Sequence, residues 1–326
     1  MFERNNIPVF AVKYKGVLDM SYLVSVDGGG TKTRFTISDL SGNILGNYKT
    51  GSSNYKSVGI DAAYQNLNLG LEEIYKDLNI NKKDIIRAVF GISGYDSQDD
   101  YEIILNMIKK TGLKEEQIYL YNDSVLAFYA QAEEPGIVII SGTGSIVLGI
   151  NRYGGILRSG GWGYNFSDLG SGYEIGRKAL RETLLYCDGC RKYSILFDYI
   201  LRYYEESSFN NLPYKITSIS NNYEIANIAT LVILAADLKD YLAMEILEES
   251  AKDLSIASIN VLNKISKNSE DKLSIVLSGG VFNSNLYRKL VTENIKEMSN
   301  CENLRFLFQD NDPVYGGLKL AKKLLK

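Results

Sequence analysis

The stretch VSVDGGGTKTRFTISDLSGNILG, residues 24–46, decides the fold. An apolar strand ends near a single carboxylate, Asp27, and runs directly into glycines, threonines and a lysine. Glycine after a strand lets backbone N–H groups face an anion without a Cβ in the way, and threonine and lysine add donors. The segments TRFTISDL and ILGNYKTG, joined by SGN, predict two more strands with tight connections. The stretch therefore predicts three consecutive strands with an anion-binding loop between the first two.

The composition is that of a soluble globular protein. The 326 residues can bury a large core, and a usual domain size of about 100 to 200 residues suggests two domains. Lys and Arg number 36 against 39 Asp and Glu, and no basic stripe points to nucleic acid. The longest apolar runs fall short of the roughly 18 residues of a membrane helix, and the N-terminus lacks a signal-peptide pattern. We expect a cytoplasmic protein without a nucleic-acid or membrane partner.

The chain contains no histidine. This excludes Ser/His/Asp and Cys/His nucleophile systems, His-ligated metals and the commonest general base, so an Asp or Glu is the expected base if the protein is an enzyme. Its cysteines, Cys187, Cys190 and Cys301, are too few for a disulfide framework. CDGC at 187–190 lacks the second pair that a zinc site needs, so we expect reduced thiols.

The predicted elements repeat along the chain. The first part reads as βββαβαβα, and a similar order begins again with GIVIISGTG, SIVLGI and ILRSGG, which suggests a duplicated domain. Long helical segments are predicted at 172–206 and 223–267. We predict four regions: an N-terminal extension at 1–20, an N-terminal domain at 21–134, a C-terminal domain with a helical insertion at 135–312, and a helix at 313–326 that packs back on the N-terminal domain.

Three glycine turns follow predicted strands: DGGGTKT at 27–33, SGTGS at 141–145 and SGG at 278–280. None has the spacing GxxxxGK[ST] or GxGxxG, which counts against a P-loop or a Rossmann site. Each turn alone is explained equally well as a tight connection. Three together favour a polyphosphate ligand held by backbone amides.

Two carboxylates are candidates for the chemistry. A polyphosphate needs a cation, and Asp27 is placed to hold Mg²⁺, which uses one or two carboxylates plus waters; the alternative is a solvated turn residue. Asp123 in LYNDSVLAF stands where a strand ends and a helix begins, which by itself favours a helix N-cap. A phosphotransferase without histidine needs a carboxylate to accept the proton of the attacking hydroxyl, and this favours Asp123 as the base.

Seven segments occur in the order seen in one known family: VDGGGTKT, GSSNY, GISGYDSQDDY, YNDS, IISGTGSI, GGWGY…SDLGSGYEIG and LSGGVFNSN. Over residues 21–326 the chain resembles the N-acetylglucosamine kinase and BadF/BadG/BcrA/BcrD ATPase family, within the superfamily of sugar kinases, actin and heat-shock chaperone ATPases. The resemblance implies an α/β fold of two duplicated ribonuclease-H-like domains, the actin-like ATPase fold, around a central cleft. It also implies ATP and Mg²⁺ as cofactors, an amino sugar as substrate and a homodimer.

The resemblance also implies site residues. Asp123 matches the general base toward the sugar 6-hydroxyl, and Asp27 remains the metal candidate. ATP would be bound by Gly28, Gly29, Gly30, Thr31, Lys32, Gly142, Thr143, Gly144, Ser145, Gly279 and Gly280. The sugar site would contain Asn54, Ser93, Gly94, Asp123, Gly161, Trp162 and Asp168. An amide such as Asn54 can donate to and accept from sugar hydroxyls, and a tryptophan offers an apolar face to a pyranose. The alternatives are a plain loop at GSSN and a core position for Trp162.

The sequence departs from the family pattern in one segment. GDEGS is usual, whereas this chain has Ser167 to Ser171, with Leu169 in place of an acidic residue and Glu174 in place of a common aromatic. N-acetylmuramic acid and glucosamine therefore stay open beside N-acetylglucosamine as substrates. A rival is the ATPase-activator branch of the family, which needs cysteines near a subunit contact. A second rival is a sugar or nucleotide sensor without catalysis.

Overall fold

The computed structural model describes residues 21–133, 135–266 and 270–325. The N-terminal extension expected at 1–20 lies outside the described residues. No helix in the described ranges has the combined length and apolar character needed to cross a bilayer.

The first sheet has five strands: β1 (Tyr22–Gly28), β2 (Thr33–Asp39), β3 (Ile44–Thr50), β4 (Ile85–Ile92) and β5 (Ile118–Tyr121). Their order is β3-β2-β1-β4-β5, with β1 to β3 antiparallel and with β4 and β5 parallel to β1. The helices of this half are α1 (Tyr55–Val58), α2 (Ile60–Leu78), α3 (Gln98–Lys110) and α4 (Asp123–Gln131). Short 3-10 turns lie at Lys82–Asp84 and Glu115–Gln117. The three consecutive strands expected from residues 24–46 are thus confirmed.

The second sheet repeats this topology with β6 (Gly136–Ser141), β7 (Ser145–Ile150), β8 (Ile156–Gly160), β9 (Leu273–Ser278) and β10 (Leu304–Phe308). Its order is β10-β9-β6-β7-β8, again with three antiparallel strands followed by two parallel ones. Because the strand order and directions match those of the first sheet, the expected duplication is confirmed.

The second half adds α5 (Gly172–Cys187), α6 (Ile195–Tyr203), α7 (Leu212–Thr217), α8 (Asn222–Asp237), α9 (Tyr241–Ile265), α10 (Asn285–Met298) and α11 (Pro313–Lys323). The two long segments predicted to be helical contain helices, α5 and α6 in the first and α8 and α9 in the second, and each segment has a break. The first breaks after Cys187, where Gly189 has a φ of +74°, and the second breaks at Lys239, which has a φ of +65°. Left-handed backbone ends a helix, and the Asp240 side chain then caps α9.

The closing helix α11 lies against α4 and β1 of the first half. Glycine permits this close approach, because a Cβ on Gly316 would overlap the backbone of Leu126 and Ala130. Pro313 begins the helix and the Asp312 side chain caps it, a pairing typical of helix N-termini. The domain boundaries themselves stay predictions.

In the part of the chain that the structure describes, three clusters of buried apolar residues form the core. One fills the first half around Phe35 and Phe90, and a larger one fills the second half around Phe197 and Phe282. The third joins side chains of both sheets to α4 and α11, with Phe128 at its centre. The two halves are therefore connected by a shared group of buried apolar side chains.

Candidate active site

Asp27 lies near the carboxyl end of β1, opposite Arg34 on β2 and Gly91 on β4. Burial raises its pKa to about 7, and the negative charges of Asp123 and Asp312 add to the effect. An ionised carboxylate in this position is unfavourable without a nearby cation. The environment of Asp27 therefore suits a residue that binds a metal ion.

The described ranges contain no group of three or more His, Cys, Asp or Glu side chains that could hold a metal ion by itself. Mg²⁺ usually takes one or two protein carboxylates and completes its shell with phosphate oxygens and waters. Asp27 fits that type of site. Cys187 and Cys190 are free thiols, and neither belongs to such a group.

The first glycine turn packs against the GSSN segment. Gly28 has no room for a side chain, because a Cβ there would overlap the Ser53 hydroxyl. The Ser52 hydroxyl donates to the carbonyl of Gly29 at 2.9 Å, so the same segment carries Asn54 to the edge of the turn. The predicted phosphate-binding members beyond Gly28 are partly or fully exposed there: Gly29, Gly30, Thr31 and Lys32.

The second and third turns contact each other. Gly279 has a φ of +102°, and a Cβ on it would overlap the backbone of Ser141, which precedes Gly142. A Cβ on Gly142 or Gly280 would meet no atom within 4 Å, so the backbone of both residues is open. Thr143 and Gly144 are partly exposed, whereas Ser145 is buried and its hydroxyl donates to the carbonyl of Leu169 at 2.7 Å.

A cavity of about 390 Å³ joins the third turn to the first half of the chain. Its lining includes Gly279, Gly280, Asn283, Arg34 and the segment 308–313. Arg34, which faces Asp27 across the β1–β2 pair, forms an ion pair with Asp312 in this cavity. The cavity therefore borders both the third turn and Arg34, the residue that follows the first turn.

Asp123 and two predicted sugar-site residues form a hydrogen-bonded group. The Asp123 carboxylate accepts from the Ser93 hydroxyl and from the backbone N–H of Ser124. The Asn54 amide donates to the Ser93 oxygen at 3.5 Å, and its own oxygen accepts from the N–H of Lys56 at 3.0 Å. Gly94 fits beside Asn54 in a left-handed conformation with a φ of +88°. Asn54, Ser93, Gly94 and Asp123 therefore meet at one place.

Asp123 is not the helix cap that its local sequence favours. Asn122 caps α4, with its side-chain oxygen accepting from the N–H of Ser124 at 3.1 Å, and Asp123 is the first helical residue. Desolvation and the nearby charge of Asp96 raise the pKa of Asp123 to about 6. A base with a pKa near the operating pH is well matched to proton abstraction.

Arg158 and Trp162 lie where the two halves face each other. Arg158 on β8 donates to Asp96, which follows β4, at 3.0 Å, and Lys56 pairs with the same carboxylate at 3.2 Å. The Arg158 guanidinium also stacks on Trp162, 4.0 Å from the ring centre. Trp162 is 70 % exposed, so the alternative of a core residue was wrong.

Asp168 connects the Trp162 segment to the second glycine turn. Its carboxylate accepts from the N–H of Gly163 at 3.1 Å and from the N–H of Ser145, while burial raises its pKa. A Cβ on Gly144 would overlap this carboxylate. Gly161 is held nearby in a left-handed conformation with a φ of +72°. Asp168 therefore lies next to both the predicted sugar segment and a predicted phosphate turn.

Sequence reasoning missed Arg34, Asp96, Arg158 and Asp312. Asp96 stood within the quoted segment GISGYDSQDDY, but nothing local distinguished it from the other acidic residues there. The roles of Arg34 and Arg158 depend on partners in distant elements, Asp312 and Asp96. No spacing rule could have paired them.

Two mixed sheets of matching topology, with glycine turns at their facing edges, define the actin-like ATPase fold. The family model for the BadF/BadG/BcrA/BcrD ATPase family matches residues 24–305, and the chain belongs to this family. An ATPase family implies ATP as the nucleotide.

Curated relatives align over nearly their whole length. An N-acetylmuramic acid/N-acetylglucosamine kinase of Clostridium acetobutylicum is 32 % identical over 93 % of this chain and 99 % of its own. An N-acetyl-D-glucosamine kinase of Dictyostelium discoideum is 30 % identical over 91 % of this chain and 97 % of its own.

Solved structures confirm the fold. A candidate N-acetylglucosamine kinase of Chromobacterium violaceum superposes with a TM-score of 0.70 at 22 % identity, covering 93 % of this chain and 100 % of that one. A ROK family glucokinase of Streptomyces griseus, solved with glucose and AMPPNP, gives a TM-score of 0.53 at 16 % identity, with 93 % and 100 % covered.

Proposed function

We propose that this protein is an ATP-dependent amino-sugar kinase that transfers the γ-phosphoryl group of ATP to a hydroxyl, O6, of N-acetylglucosamine or a close relative. The observation that carries the proposal is the group of Asp123, Ser93 and Asn54, whose base is electrostatically coupled to Asp27. The relatives named as N-acetylglucosamine kinases support the choice of acceptor.

On the acceptor side, Asp123 accepts the proton of the attacking hydroxyl. Its pKa of about 6 leaves the carboxylate ionised at neutral pH and still basic enough to take a proton. Ser93 fixes the orientation of this carboxylate, and Asn54 presents an amide to the neighbouring sugar hydroxyls. Trp162 offers its exposed ring to the sugar face, supported from behind by Arg158.

On the nucleotide side, backbone amides of the glycine turns that are not bonded within the turns would bind the phosphates, and Gly279 and Gly280 border a cavity that would hold the nucleoside. Thr31, Lys32 and Thr143 add donors from exposed positions. Asp27 would hold Mg²⁺, which supplies charge neutralisation on the transferring phosphate. Arg34 lies in the same cavity and adds a fixed positive charge.

Positioning of the two substrates contributes more to the rate acceleration than general-base assistance does. Orienting two reactants is worth roughly 7 to 11 kcal/mol, whereas general-base assistance contributes about 10²- to 10⁴-fold, or about 3 to 5 kcal/mol. Catalysis therefore depends on the relative position of the two halves, because the first half carries the base and the second half carries the 141–145 phosphate turn. Closing the cleft also keeps water from the transferring phosphoryl group.

The acceptor stays open among N-acetylglucosamine, N-acetylmuramic acid and glucosamine. One curated relative is named for both N-acetylated sugars, and a third relative, 25 % identical over 75 % of this chain, is a glucosamine kinase of Vibrio cholerae. A homodimer, which only the family resemblance implies, and a cytoplasmic localisation without a nucleic-acid partner, expected from the sequence, complete the proposal.

A coupled ADP-release assay with Mg²⁺ and ATP across these three amino sugars tests the proposal. We expect ADP release that depends on at least one sugar. Equal release with and without every sugar would contradict a kinase and favour the ATPase-activator branch. Sugar and nucleotide binding without any ADP release would favour a sensor.

A further inference from the structure

Residues 168–174 form a junction between the parts of the cleft. The segment begins at Asp168, beside the Trp162 segment, and ends in the first turn of α5. The N–H groups of Gly172 and Tyr173 donate to the carbonyls of Gly142 and Thr143 at 2.7 and 3.1 Å. The second phosphate turn is therefore bonded directly to the segment that follows the sugar side.

Gly170 is the centre of this junction. Its carbonyl accepts from the Ser141 hydroxyl at 2.7 Å and from the Tyr287 hydroxyl at 2.9 Å. Its φ is +68°, and a Cβ would lie 2.6 Å from the Tyr287 oxygen and 2.8 Å from the carbonyl oxygen of Ser250. Only glycine fits this backbone without displacing its neighbours.

Glu174 holds the other side of Gly170. Its carboxylate accepts from the Gly170 N–H, and its second oxygen pairs with Lys178 at 3.2 Å. Glu174 is 8 % exposed. Lys178 also contacts Glu249 at 3.4 Å and Asp253 at 3.7 Å, so its charge keeps partners if Glu174 is changed. This buried carboxylate is one of the two residues that depart from the family pattern, and it binds the backbone of the junction.

The third glycine turn is tied to the same point. Tyr287 is fully buried in the first turn of α10, where its N–H is capped by Ser284, and the backbone of Gly279 packs on Ser141. Gly170 thus connects the predicted sugar segment, the second glycine turn and α10 through the side chains of Glu174, Ser141 and Tyr287.

We infer that Glu174 is a positioning residue that couples the sugar side of the cleft to the nucleotide side, so that the two substrates bind cooperatively. Glu174 acts through the Gly170 backbone, together with Tyr287. The inference rests on the proposed function. Its physical basis is that a shift of Gly170 moves Asp168 and the 141–145 turn together, because both are bonded to the same short segment. Such coupling is reciprocal by thermodynamic linkage.

Calorimetric titration of the full-length protein tests the inference. The sugar Kd is measured alone and with a saturating non-hydrolysable ATP analogue and Mg²⁺, and the ratio of the two values is the coupling. We expect the analogue to tighten sugar binding at least about fivefold in the unaltered protein. Glu174→Leu and Tyr287→Phe should bring the ratio close to one, and Glu174→Gln, which keeps an acceptor for the Gly170 N–H, should restore most of it.

Thr183→Val is the matched control. Thr183 is buried on the same helix, and its hydroxyl donates to the Ala179 carbonyl at 2.8 Å, away from Gly170. It should lower the melting temperature and leave the coupling ratio unchanged. A ratio that persists in both Glu174→Leu and Tyr287→Phe, or a ratio of one in the unaltered protein, overturns the inference. Tyr287→Phe carries the test if Glu174→Leu does not fold. If neither the sugar nor the nucleotide analogue binds, the result would instead contradict the proposed function.

Discussion

Arg158 donates to Asp96 across 3.0 Å and so joins the second half of the chain to the first beside Trp162, a predicted sugar-site residue. The guanidinium stacks at the same time on Trp162. Arginine suits this place because its planar head can form hydrogen bonds at its edge and stack with its face. One side chain therefore orients the exposed tryptophan and links the half that carries the proposed base to the half that carries the second glycine turn.

Replacing Arg158 tests this link. Arg158→Met should raise the sugar KM several-fold, because Trp162 loses its support, with a smaller effect on kcat. Arg191→Met is the control, since Arg191 forms an ion pair with Glu182 on the exposed surface of the second half. Steady-state kinetics with varied sugar separates the two parameters. An unchanged sugar KM in Arg158→Met would show that the contact between Arg158 and Trp162 does not contribute to sugar binding.

Asp123→Asn tests the proposed base. Turnover should fall by at least about 10²-fold, because the amide cannot accept the proton, while sugar affinity should be largely kept. Asp61→Asn removes an exposed carboxylate from the first turn of α2 and should leave turnover unchanged. Kinetics and calorimetric sugar binding are measured together. Near-normal turnover in Asp123→Asn would leave this carboxylate with a structural role only.

The pH profile follows from the same residue. Because the Asp123 pKa is raised to about 6 and the ionised form is the active one, log kcat should rise with pH up to about 6 and level off above it. Saturating Mg²⁺ and ATP limit the contribution of nucleotide titration. Asp123→Asn should lose this rising limb, and a limb that survives the substitution would have to come from another group.

Asp27→Asn should have opposite effects on the stability of the ligand-free protein and on metal binding. The pKa of Asp27 is raised to about 7 in the fold, so the unfolded chain loses this proton first and stability falls as pH rises from about 4 to 7. The variant should therefore melt a few degrees higher than the unaltered protein at pH 8 without ligands. It should also lose the stabilisation by Mg²⁺ with an ATP analogue. Melting curves that match those of the unaltered protein under both conditions would contradict the metal assignment.

The sequence predicted what is local. Glycine turns, strand alternation and the carboxylate at the end of β1 are adjacent in the chain, so residues 24–46 could be interpreted directly. The breaks within the long helical segments were not predicted, because those at Gly189 and Lys239 depend on backbone conformation rather than on apolar spacing. At residue 123 local propensity pointed to a cap, and the neighbouring Asn122 takes that role.

The parts that could not be predicted depend on distant partners. Asp96 forms an ion pair with Arg158, and Arg34 forms one with Asp312. Each pair joins elements that are far apart in the sequence. The contact between the Glu174 carboxylate and the Gly170 N–H was also not predicted, because it depends on the left-handed backbone of Gly170, and Lys178, which pairs with Glu174, has its other partners on α9. Tertiary packing, not composition, selects these residues.

The most direct test of the central claim is phosphorus NMR of the products formed from ATP, Mg²⁺ and N-acetylglucosamine. The account predicts a new phosphomonoester signal on the 6-carbon of the sugar, matched in amount by ADP and formed at least about 10²-fold more slowly by Asp123→Asn. ADP accompanied by inorganic phosphate alone, with every amino sugar of the panel, would contradict it.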